Sequence, residues 1–163
     1  MTTSSFVTTH IRVQTGKGFA EVTKSFESRL GKFDPTVLRS TGSATEASSR
    51  IEAMAGPGGF MLFATTDHGA LLTLFGEPSK AMQYLVGHPL LALRMTRRNA
   101  GAGLYAPLRV LIYEEDGKTV LEYDTPSSLF GQFEDSEIAA VASMLDRKLE
   151  ALVAAAIGGG HDG

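Results

Sequence analysis

The sequence predicts a two-layer α+β domain: an antiparallel or mixed sheet, helices packed on one face, and a long C-terminal helix. Three observations carry that reading. Phe6 to Gln14 alternates Val7, Thr9, Ile11 and Val13 against Phe6, Thr8, His10 and Arg12, the period of two of a strand with one face in a core. Leu104 to Glu114 alternates in the same way and leads through Asp116-Gly117, a hairpin signal, into a return strand at Thr119 to Asp124. Ile138, Val141, Leu145, Leu149, Leu152 and Ala156 then recur at helical spacing, an apolar stripe on a helix that Asp135 caps and Gly158 stops.

The remaining elements follow in chain order. Phe19, Val22, Phe26 and Leu30 predict an amphipathic helix from about Gly18 to Leu30, with Gly31 as its C-cap and Asp34-Pro35 blocking continuation. A second helix is expected near Ala44 to Met54, with Ser43 as N-cap and Glu46 three residues on, closed by Gly56-Pro57-Gly58-Gly59. Phe60 to Thr66 is so apolar that it reads as a central strand covered on both faces. Asp67-His68-Gly69 follows, then a second apolar run, Ala70 to Phe75. Met82 to Val86 is a short strand ended by Gly87-His88-Pro89, and Leu90 to Asn99 a helix with Pro89 at its first turn. Pro107 marks an edge or a bulge in the strand that contains it, and Ser127 to Phe133 makes a short helix or turn.

At 163 residues the chain suffices for one domain with a real core, expected over 6–157 between a flexible N-terminus, 1–5, and a flexible Gly-rich tail, 158–163, that holds His161. There are no cysteines, which excludes disulfides, thiol nucleophiles and thiolate metal sites. A net charge of -3 leaves no excess of cations to neutralise phosphates, so no nucleic-acid partner is expected. Met1 to Ser5 lacks the features of a signal peptide, and no run of about 18 apolar residues occurs. A cytoplasmic protein without membrane association is the expectation.

FMLFATTDHG (60–69), VGHP (86–89), GLYAPLRVLIYEEDGKTVLEY (103–123) and DTPSSL (124–129) together resemble the family called domain of unknown function 302. Thr8 to Leu30 and the long closing helix also fit that family, whereas residues from about Phe33 to Gly59 fit it least. His88 stands where the family pattern has Asn. The resemblance implies a bacterial-type α+β fold seen as dimers, with no established activity, so it speaks to fold more than to function.

Asp67-His68 at the end of an apolar strand is the first candidate for chemistry, since an imidazole there can act as a general base or ligate a metal or haem. The plainer reading is a capped turn. His88 sits where a strand becomes a helix, and if the strands pair, His68, His88 and His10 are candidate metal ligands, although no HxH or HExxH spacing occurs. Arg94, Arg97 and Arg98 share one helix face, suited to an anion or simply to solvent near a helix C-terminus. Tyr84, Tyr105, Tyr113 and Tyr123 can line a pocket or pack the sheet. Arg109 faces away from the main core and is expected to pair with Glu114, Glu115 or Glu122, or to help form a dimer interface. Gly101-Ala102-Gly103-Leu104-Tyr105-Ala106 matches GxGxxA, but it follows a helix and opens a strand, so it is no dinucleotide fingerprint.

These observations rank three functions. First stands a dimeric small-ligand-binding protein with its pocket near the Asp-His and Gly-His-Pro turns, using His68, His88, Tyr84, Tyr105 and Arg94. A histidine-dependent enzyme or metal- or haem-binding protein comes second, using His68 and His88 with Asp67. A dimeric interaction module comes third. No motif demands a cofactor.

Overall fold

The computed structural model describes residues 1–158. Its strands are β1 (His10–Thr15), β2 (Gly31–Lys32), β3 (Met61–Asp67), β4 (Ala81–Gly87), β5 (Leu108–Glu115) and β6 (Lys118–Asp124), joined in one sheet of order β1-β6-β5-β4-β3-β2. All pairings are antiparallel except β2 with β3. The helices are α1 (Phe19–Glu27), α2 (Val37–Ser40), α3 (Ala44–Glu52), α4 (His68–Leu74), α5 (Pro89–Arg98), α6 (Pro126–Phe130) and α7 (Ser136–Gly158), with 3-10 turns at Ala100–Tyr105 and Gly131–Phe133.

Register decides which residues meet the helices. Ile11 and Val13 stand opposite Tyr123 and Leu121, which stand opposite Val110 and Ile112, which stand opposite Tyr84 and Met82. Val22 and Phe26 of α1, Met95 of α5, Phe130 of α6 and the stripe of α7 close over that face. Full burial of each such side chain contributes about 1.5–3 kcal/mol. The opposite face carries cross-strand polar pairs instead. Arg12 bonds Glu115 and Glu122, and Tyr113 donates to Glu122. Arg12 therefore makes the pairs expected of Arg109, which has no carboxylate partner among the described residues.

A smaller core of Val37, Ile51 and Met61 lies under α2 and α3, with Phe33, Phe63 and Leu90 packed against it. The excursion that carries these helices is tied at its base. The backbone N–H groups of Gly31 and Gly56 both donate to the Phe60 carbonyl, at 2.9 and 3.0 Å.

Several expectations change. β1 begins at His10 rather than Phe6, because β6 ends at its partner Asp124; Thr9 is held beyond the ladder, its carbonyl by Thr125 N–H and its own N–H by Ser128 Oγ. Gly31 does not cap α1 but opens β2, beside Met61. β3 is neither central nor covered on both faces: β2 spans only Met61 and Leu62, and Ala64 to Asp67 are exposed. The apolar run after it is helix α4, with Leu71, Leu72, Leu74 and Phe75 facing solvent. β5 begins after Pro107, which follows a cis peptide bond, so no proline interrupts the ladder. The caps at Ser43 and Asp135 form as expected, Asp135 Oδ1 accepting from Glu137 and Ile138 N–H. α7 runs through Gly158, so the predicted tail's first residue is helical; the rest of that tail, with His161, lies outside the described residues. No helix among the described residues is long and apolar enough to cross a membrane.

Candidate functional site

The β3–β4 register fixes the fate of the two strand-end histidines. Met61 pairs with Gly87 and Asp67 with Met82, so the strands run in opposite directions. His68 follows the end of one and His88 the end of the other, which puts them at opposite ends of the pair, about 20 Å apart at 3.3 Å per residue. His10 shares the His88 end, but β5 and β6 lie between them, a gap of about 14 Å in strand spacings. The strands pair, but the convergence that His68, His88 and His10 would need as ligands of one metal does not occur. Among the described residues no group of three His, Asp or Glu side chains is placed to hold a metal ion.

At the His68 end the turn is a helix cap. Asp67 Oδ1 accepts from Ala70 N–H at 2.8 Å, and His68, the first residue of α4, is exposed. Gly69 is required there: a β-carbon would lie 2.6 Å from the Ser79 carbonyl and 2.7 Å from Ala81 N.

At the His88 end the chain builds a cavity of about 340 Å³. Pro89 is pre-set for the first turn of α5, where its missing N–H costs nothing. His88, as N-cap, is only 8% exposed. Its Nε2 lies 3.3 Å from Glu52 Oε2, on the last residue of α3, while its Nδ1 is buried with no hydrogen-bond partner. A β-bulge between Leu62 and Ala64 leaves Phe63 without a ladder partner and lets its ring lie against Phe33, centroids 4.7 Å apart. Phe33, Phe63, Pro107 and Phe130 make apolar walls, and Leu38 and Leu93, both partly exposed, stand among the residues around the opening. Such a space binds an apolar body and admits few polar contacts.

The other candidates are placed as follows. Tyr84 is fully buried under α1 and donates to Glu27 Oε1 at 2.7 Å; burial, reinforced by that carboxylate, holds its hydroxyl far above the ordinary phenol range. It does not line the cavity. Tyr105 stacks edge-on against Phe6, Phe130 and Phe133, behind the cavity wall. Arg94 donates twice to Glu137 and Arg98 to Asp135, which ties α5 to the start of α7. His10 is held between Asp124 and Glu122 on the open face, and its hydrogen bond to Asp124 raises its pKa above 6.5. Sequence reasoning missed Glu52, Phe33, Phe63 and Pro107 as neighbours of His88. Phe63 gives no signal because both faces of its run are apolar, and the others arrive from distant segments.

Comparison with known proteins agrees with this architecture. The profile of the family described as Domain of unknown function DUF302 matches residues 36–156. The crystal structure of an uncharacterised conserved DUF302 protein from Bacillus stearothermophilus superposes with a TM-score of 0.66 at 19% identity, covering 90% of this chain and 97% of that one. At that identity the likeness concerns the fold alone. No curated protein matches the chain. With a family profile spanning most of its length and the same fold in a solved member, the chain belongs to the DUF302 family.

Proposed function

We propose that the protein is a small-ligand-binding module and that its ligand occupies the cavity at the Gly87-His88-Pro89 turn. The observation that carries this is a 340 Å³ apolar cavity lined in part by a buried imidazole whose Nδ1 has no partner. The Glu52 carboxylate, 3.3 Å from Nε2, favours a proton on that nitrogen, so that a small shift of the ring offers Nδ1 to a ligand as an acceptor. The ligand class is therefore a compact, largely apolar molecule with one O–H or N–H donor. Phenol and toluene, alike in shape, separate the polar contact from the apolar one. Phenol is expected to bind saturably, by protein-observed NMR, and at least about fivefold more tightly than toluene. A β-carbon on Gly87 would make ordinary contact with Phe63 and Pro107 at 3.5–3.7 Å, so Gly87→Val fills the space and abolishes binding. Failure of both probes at millimolar concentration, or undiminished binding to Gly87→Val, sinks the proposal.

A second reading concerns assembly. Leu71, Leu72, Leu74 and Phe75 of the α4 region are 39–78% exposed, and α4 follows directly on the half of β3 that β2 leaves unpaired. Contiguous apolar surface of this kind favours association, and a second copy covering it makes a homodimer. Sedimentation velocity at micromolar concentration is expected to give a dimer that Leu74→Glu and Phe75→Glu together dissociate. A monomeric parent protein refutes this reading.

A further inference from the structure

We propose a second ligand site, for a small organic anion, in the groove between α7 and the Gly56–Gly59 turn. The groove measures about 560 Å³ and is separate from the cavity at His88, sharing no lining residue with it. Three cations border it: Arg29 just beyond α1, and Arg147 and Lys148 of α7. No carboxylate lines it. Arg29, Arg147 and Lys148 have no carboxylate within 4 Å among the described residues, and unlike other unpaired cations such as Arg97 and Arg109 they border one groove. Arg29 Nη1 bonds back to the Ser25 carbonyl at 3.1 Å and more weakly to Ser28 Oγ, which leaves the rest of its fork free.

The charges of α7 are sorted rather than mixed. Asp146 and Glu150 lie along a different groove, beside β1 and β6, and Asp146 there accepts from Ser127 N–H. Arg147 and Lys148 are thus turned from the carboxylates nearest to them in sequence. Lys148 reaches toward the glycine turn. Gly59 has φ +73°, and a β-carbon on it would stand 2.6 Å from Lys148 Nζ. The ammonium therefore occupies space beside a backbone conformation that favours glycine. Three cations without internal partners, in an acidic chain, create a local positive field suited to a phosphate or carboxylate. Met144, Ala151 and Leu152 add an apolar floor, so the anionic group is carried on an apolar body.

Phenyl phosphate and benzoate distinguish the two anion types, and inorganic phosphate tests the need for the apolar body. Isothermal titration at low ionic strength is expected to show saturable binding of at least one organic anion, weakened by added salt. Binding should fall at least tenfold in Arg147→Gln/Lys148→Gln, survive in the charge-keeping Arg147→Lys/Lys148→Arg, and be unchanged in Gly87→Val. Phosphate binding as tightly as phenyl phosphate would overturn the amphiphilic ligand. Absence of saturable binding, or equal affinity in the charge-neutral double variant, would overturn the site. Because Gly87→Val blocks only the cavity at His88, failure here leaves the first proposal standing, and the reverse holds as well.

Discussion

The two ends of the β3–β4 pair begin from similar sequence and finish as different environments. Each strand ends in a short turn with a histidine and a glycine, Asp67-His68-Gly69 on one and Gly87-His88-Pro89 on the other. At the first end a seven-residue helix turns its leucines to solvent, and the imidazole is exposed. At the second, α3, α5 and the segment before β5 converge, and the imidazole is buried beside a cavity. The residue type is the same; what differs is how much chain arrives from elsewhere to cover it. A histidine at a strand end acquires chemistry from its cover, not from its motif.

The largest test of this contrast is a pair of truncations. Phe60, fully buried where β3 begins at the His88 end, should cost about 3–5 kcal/mol when changed to Ala. Leu74, 78% exposed at the other end, should change monomer stability by no more than about 0.5 kcal/mol when changed to Ala. Urea unfolding of both variants reads the difference, and equal losses would break the comparison. The exposed end nonetheless has one tightly packed point. Gly69→Ala drives a methyl group into backbone at 2.6–2.7 Å and should destabilise by about 1–3 kcal/mol, measured in the same way.

The third histidine sharpens the comparison with the smallest effect. His10 is half exposed, and its hydrogen bond to Asp124 raises its pKa in the folded state above 6.5. Its contribution is fully present below the unfolded value of about 6.5 and is lost as pH rises through the folded pKa. Screened by solvent, it amounts to about 0.2–1 kcal/mol. The parent protein should lose that much between mildly acidic and mildly alkaline pH relative to His10→Gln. Parallel stability–pH curves for the two proteins would show that this pair contributes nothing.

What could be read from residues alone follows the range of the interaction. The stripe of α7, the Asp116-Gly117 hairpin and the Ser43 and Asp135 caps are written within a few neighbouring positions, and all appear where the pattern puts them. β2 is two residues long and exists only because Met61 and Leu62 lie beside it, so no local pattern could announce it. Phe60 to Ala64 resembles a doubly covered strand because cover is supplied unevenly, by α1 and α7 on one side and by α2 and α3 at one end only. The site divides in the same way. The sequence puts one pocket near both histidine turns, whereas the chain that separates them arrives from far away: Glu52, the neighbour of His88, sits 36 residues earlier on another helix. Pairing direction is a long-range property, and it alone separates His68 from His88.

The double acceptance at the Phe60 carbonyl has a consequence for how this site can diversify. Gly31 and Gly56 end on one oxygen, so the intervening excursion is a detachable module with its own anchor. That module delivers Phe33 and Leu38 to the cavity and Glu52 to His88, while β3 delivers Phe63 and the segments flanking β4 and β5 deliver His88 and Pro107. Lengthening such a loop changes its closure cost only slowly, about 0.6 kcal/mol per doubling. The part of the wall made by Phe33 and Leu38 is therefore free to drift in length and composition, while the residues of α5 and of the segments flanking β4 and β5 stay fixed. Chimeras that exchange residues 33–55 between relatives should shift ligand preference through the contacts of Phe33 and Leu38 and keep the thermal stability of the donor of the sheet.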